Sequence, residues 1–204
     1  MKKHAIATII LTLALASLCR PSALQAGESF HFKGQGANAS FYHTDECIST
    51  SVYVFASDSV SKDQSGPPTS SSWGNVGIDQ WNDCTYEPVR SGYGYAALAD
   101  ADLQVNSNLS AATLTATIPV YDYAAGSSFD VRIELAWRGS GERSQGSSHN
   151  HYRSPGYAFH DRYKGTFQSA EASGIVAIDG NNLIAAPSGY AYMFSAKSGS
   201  VQID

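Results

Sequence analysis

Apolar residues recur at every second position through several stretches of this 204-residue chain. In 129–137, Phe129, Val131, Ile133, Leu135 and Trp137 alternate with Asp130, Arg132, Glu134 and Ala136. Residues 113–121 repeat the pattern, with Leu114, Ala116, Ile118 and Val120 against Thr113, Thr115 and Thr117. The same period runs through 48–56 and 190–196. Alternation of this kind puts one face of an extended strand in a core and the other in water, and a helix cannot use it. Less regular strands are expected at 37–42, 75–81, 101–105, 159–169 and 173–178. No window sustains a helical apolar stripe over ten residues.

Between these segments lie turn-forming clusters such as Asn106-Ser107-Asn108, Ala125-Gly126-Ser127 and Asp179-Gly180-Asn181-Asn182. Many short strands with Gly, Ser and Asn turns predict an all-β fold, an antiparallel β-sandwich of jelly-roll or immunoglobulin-like type. Two connections, 58–72 and 138–155, read as long polar loops, which in a compact domain are functional or disordered.

The N-terminus is a different kind of segment. Lys2 and Lys3 precede an uncharged apolar run from residue 5 to residue 18, and Leu24-Gln25-Ala26 precedes Gly27. A basic start, a short apolar stretch and a small residue at the cut form the pattern of a secretory signal peptide. The run is shorter than the roughly 20 residues needed to span a bilayer. The expectation is therefore a signal peptide at 1–26 and one exported domain at 27–204, destined for periplasm, cell surface or medium and not membrane-spanning.

Removal of that segment takes Lys2, Lys3 and Arg20 from the 13 basic residues, leaving 10 against 18 acidic ones, a net charge of −8. An acidic domain of this kind argues against nucleic acid as a partner. Cys19 leaves too, and Cys47 and Cys84 remain as a pair. In an oxidising compartment such a pair predicts one disulfide, stabilising by about 4 kcal/mol through the loop it closes.

Charge is segregated along the chain. From 132 to 164 there are six basic residues against Glu134, Glu142 and Asp161. Arg143, His149, His151, Tyr152, Arg153 and Tyr163 stand out as ligand-binding candidates, because guanidinium forks pair with carboxylate, sulfate or phosphate and phenol rings stack on sugars. The plainer alternative is a solvated loop whose charges balance acidic neighbours. His149 and His151, with His160, form a weak candidate metal site, two imidazoles alone leaving zinc or copper incompletely held. No Gly-x-Ser-x-Gly, His-Glu-x-x-His, Walker or dinucleotide motif is present, so no cofactor or catalytic residue is assigned.

Twelve tyrosines form a further excess, read either as ordinary strand formers or as half-exposed contact residues. The functional expectation is a binding module for a polysaccharide, a cell-surface component or another protein. A small metal-dependent or hydrolytic enzyme using the His149/His151/His160 region, and a structural envelope component, are the alternatives.

Overall fold

A computed structural model describes residues 29–63, 66–154 and 157–203. The expected signal peptide lies outside the described residues. Ten strands follow in order: β1 (Ser29–Asp45), β2 (Ile48–Asp63), β3 (Thr69–Asn82), β4 (Glu87–Ala97), β5 (Leu103–Val105), β6 (Ala111–Asp122), β7 (Ser127–Ser154), β8 (Tyr157–Ile178), β9 (Asn181–Asn182) and β10 (Tyr190–Ile203).

The all-β class, the antiparallel pairing and the single disulfide agree with the sequence reading. The strand order adds what alternation does not carry. The long strands pair in the sequence β10-β1-β2-β3-β4-β6-β7-β8, and β8 pairs again with β10. The two apolar faces that pack against each other are opposite walls of one sheet, closed by the β8–β10 pairing, and the connections along it form a meander.

The alternating residues fill the interior. Val52 and Val54 of β2, Val76 and Ile78 of β3, Ile118 and Val120 of β6, and Val131 and Ile133 of β7 are all buried. Trp137 of β7 is 1% exposed, and its indole N–H donates to the Asn38 carbonyl of β1 at 2.8 Å, satisfying the one polar group the ring buries. The outward residues Thr113, Thr115 and Thr117 are exposed. Among the described residues no helix is long and apolar enough to cross a membrane.

Both expected long loops turn out to be mostly strand. β2 runs on to Asp63 and β3 begins at Thr69, while β7 continues to Ser154 and pairs with β8 as far as Ser154↔Tyr157. Residues 143–154 contain Ser, Gly, His and Asn with no apolar alternation, because neither face of this hairpin lies in the core. Main-chain pairing alone makes it a strand. A register shift between Gly139 and Arg143 marks where β7 leaves the core wall. β4 ends at Ala97 and β6 begins at Ala111, so the 12 residues from Arg143 to Ser154 carry the β7–β8 wall about 40 Å past that rim.

At the opposite end, Cys47 in the β1–β2 turn bonds Cys84 in the β3–β4 turn, with Cα atoms 5.4 Å apart. The Asp83 amide also donates to the Cys47 carbonyl at 2.7 Å, so two neighbouring hairpins are tied at their tips. On β8, Gly174 has φ +140°, and a Cβ there would run into the Glu134 carbonyl oxygen of β7. That close approach lets β8 bend across β7 and requires glycine.

Replacing both Cys47 and Cys84 by Ser is expected to lower the unfolding free energy by about 2–4 kcal/mol in urea titration. Gly174→Ala is expected to lower it by about 1–3 kcal/mol. An unchanged midpoint for either would contradict the respective assignment.

Candidate functional site

Pairing register places the candidate site above the apolar core, on the inward face of the extended wall. Lys33 of β1 lies opposite Lys197 of β10, and Lys197 lies opposite Lys164 of β8. Three ammonium groups thus project from three adjacent strands at one level. One level farther from the core, Lys62 of β2 faces His31 of β1, and Arg162 of β8 faces His149 of β7. The outermost level pairs His151 with His160. Each residue shares its strand face with core residues further along, Lys33 with Ala37 and Lys197 with Met193.

These side chains line a cavity of about 1360 Å³. Its cations are Lys33, Lys62, Arg162, Lys164 and Lys197, joined by His31, His149 and His160, and no acidic residue lines it. Half of the ten basic residues beyond position 26 therefore meet in one place, in a domain whose net charge is −8. Among the described residues the ion pairs are Arg90 with Asp122 and Arg132 with Glu134, so none of the five cavity cations is neutralised. Asp58 stands on the same face of β2, two residues coreward of Val60, and makes no ion pair with them. Like charges directly opposite on paired strands, with Cβ atoms about 5 Å apart, oppose the fold they sit on. At these exposed positions the cost is about 0.2–1 kcal/mol per pair and falls as salt screens the charges.

The cavity is a cup with one low side. β7, β8, β10, β1, β2 and the start of β3 form the tall wall, and the β4–β6 rim stops short of it. β5 contacts β1 and β2 as well as pairing with β6, so it crosses under the cup and closes the core. Leu103 and Leu109 of this segment are buried.

The sequence candidates distribute as follows. His149 is in the cup. The main chain around Tyr163 lines it, while the Tyr163 ring lies over Gly165 on the outer face. Tyr152 is 60% exposed and shares that outer face by strand alternation. Arg143 sits at the register shift, opposite Gln168, and Arg153 near the hairpin tip, opposite Ala158, so neither lines the cup. Lys33, Lys62, Lys197 and His31 were not singled out by sequence. Nothing in the local sequence marks them, and Lys62 has an acid, Asp63, directly beside it.

His149, His151 and His160 do come together, as a stack. The His151 and His160 rings lie 4.0 Å apart at 14°, and those of His149 and His160 6.5 Å apart at 23°. A metal binds in the plane of each imidazole that holds it, and nearly parallel planes share no such point beside the rings. Among the described residues no group of three His, Cys, Asp or Glu is arranged to hold a metal ion.

Partial burial, then the positive charge available to His151, His149 and Arg162, lowers the His160 pKa below its ordinary value. The unfolded chain therefore binds this proton more readily than the folded one, and stability rises with pH across that interval. Acidification from pH 7.5 is expected to lower the urea midpoint as pH passes about 6.5, levelling off below the folded-state pKa. His160→Asn should flatten this dependence. An equally steep wild-type and variant profile would contradict it.

The outer wall opposite the hairpin carries a second concentration of side chains. Tyr53 of β2 faces Gly77 of β3, Gly77 faces Tyr93 of β4, and Tyr93 faces Tyr121 of β6. The three tyrosines are 39%, 43% and 48% exposed. On the neighbouring level Phe55 lies between Asn38 and Asn75, both buried, and their side-chain oxygens have no hydrogen-bond partner among the described residues.

No protein-family model, curated protein or solved structure matches this chain.

Proposed function

We propose that this chain is an exported binding protein whose cup receives an anionic polysaccharide. The observation that carries the reading is the row Lys33–Lys197–Lys164, three like charges held in register on neighbouring strands with no ion-pair partner among the described residues. An arrangement that opposes folding is retained where a ligand relieves it. Carboxylate or sulfate groups fit both the ammonium row and the Arg162 fork above it. The low β4–β6 side lets a chain enter laterally, and charges on two levels suit a ligand that presents anionic groups in series.

The compartment follows from two supports. A basic start, an apolar stretch and the Leu24-Gln25-Ala26 boundary have the form of a secretory signal. A Cys47–Cys84 disulfide belongs to an oxidising environment. Such compartments are rich in acidic glycans, whereas the domain's net negative charge repels long nucleic acids outside the cup.

Calorimetric titration with heparin and with polygalacturonate tests the reading. The wild-type domain is expected to bind at least one of the two, with affinity falling steeply as salt rises. Replacing Lys33, Lys164 and Lys197 together by Gln should weaken binding at least 30-fold, about 2 kcal/mol. Failure of both polymers to bind, or equal affinity of the triple variant, would overturn it.

A further inference from the structure

We infer that the acidic, disulfide-tied end of one copy of this chain docks into the basic cup of another, which rests on the cup being the anion-binding site proposed above. The cup and the disulfide mark opposite ends of the barrel, and charge divides between them. The turns at the disulfide end, 45–48, 82–87, 122–127 and 178–190, hold Asp45, Glu46, Asp83, Glu87, Asp122 and Asp179 and no Lys or Arg. Asp122 is buried and engaged within its own turn, where it accepts from the Ala124 and Ala125 amides and pairs with Arg90 at 3.7 Å. The other five acids are exposed, and among the described residues none of them forms an ion pair. Lys33, Lys62, Arg162, Lys164 and Lys197 gather at the far end. Acids near the cup stand outside its lining: Asp161 alternates to the outer face, and Asp102 on the low rim accepts from the Ala99 amide. Each pole therefore lacks the counter-charge that the opposite pole of a second copy carries.

The geometry at both ends suits this contact. β1 and β2 close at Asp45↔Ile48, so Glu46 and Cys47 are the whole of the turn and the tip is one narrow hairpin. The Cys47–Cys84 bond, with the Asp83 amide donating to the Cys47 carbonyl at 2.7 Å, holds this tip against the β3–β4 tip. Asp45, Glu46 and Asp83 are thus presented as one set, with less backbone freedom to lose on docking than separate loops would have. The cavity of about 1360 Å³ exceeds the ~300–1,000 Å³ of small-molecule pockets, and so has room for a hairpin tip. The tall wall can surround the β1–β2 tip, while the low β4–β6 side leaves space for the β3–β4 tip tied beside it. Each copy receives with one patch and donates with another, so the contact propagates head to tail instead of stopping at a symmetric pair. A polysaccharide in the cup takes the same cations, so stacking and glycan binding exclude one another.

Sedimentation velocity of the mature chain at low salt tests the stacking. An acidic-end variant combines Asp45→Asn, Glu46→Gln and Asp83→Asn, and a cup variant combines Lys33→Gln, Lys164→Gln and Lys197→Gln. The wild type is expected to form species that grow with concentration and revert to monomer at high salt or with heparin. Each variant alone should associate at least tenfold more weakly. Mixed in equal amounts, the two should form a one-to-one dimer and nothing larger, because one keeps its acidic end and the other its cup. The acidic-end variant should melt no lower than the wild type and bind heparin as the wild type does, which separates failure of the stacking from failure of the cup. A wild type that stays monomeric at low salt up to its solubility limit overturns the stacking, whether or not heparin binds. So does a mixture that stays monomeric, or an acidic-end variant that associates as the wild type does. Stacking without binding of heparin or polygalacturonate would instead overturn the polysaccharide reading alone.

Discussion

β10 is hydrogen-bonded along both of its edges, to β1 on one side and to β8 on the other, and the rest of the molecule depends on that double pairing. Without β10 the other seven long strands would leave β1 and β8 as long unpaired edges, each a template for aggregation. Closure removes both edges and gives the alternating apolar residues one interior to fill. It also assembles the cup, because β10 delivers Lys197 between Lys33, near the start of the described chain, and Lys164 from the long hairpin. At the other end the Cys47–Cys84 bridge ties the β1–β2 and β3–β4 turns, so the barrel is fastened at the end opposite the cup.

Much of the barrel was legible in the sequence. The stretches 113–121 and 129–137 alternate because one face of each contacts the core, and both are strands over those residues. The cysteine pair was legible by arithmetic. Residues 143–154 were not, since a hairpin with a solvated outer face and a cup-lining inner face has no apolar face to betray its period. Closure was equally hidden: the pairing of β10 with both β1 and β8 leaves no pattern within any one strand.

The site was half legible. Clustering of Arg and His between 132 and 164 marked the hairpin, yet only His149, Arg162, Lys164 and His160 from it line the cup. The other cations, Lys33 of β1, Lys62 of β2 and Lys197 of β10, come from near the two ends of the chain, and only the register brings them beside the hairpin. Tyr93 and Tyr121 were visible as residues but not as a row, because their alignment with Tyr53 passes through Gly77, a position with no side chain to notice. The two faces differ in their chemistry, with a cluster of cations inside the cup and a row of tyrosines on the outer wall.

The central claim, that the lysine row is held against its own repulsion for the sake of an anionic ligand, is tested most directly by thermal unfolding of Lys197→Gln with and without heparin at low salt. Lys197 is the middle of the row, so its neutralisation removes both like-charge contacts at once. The account predicts that the free variant melts higher than the free wild type, by an amount that shrinks as salt screens the row. It further predicts that heparin raises the melting temperature of the wild type and leaves that of the variant nearly unchanged. A variant that melts lower than the wild type, or that heparin stabilises equally, would contradict it.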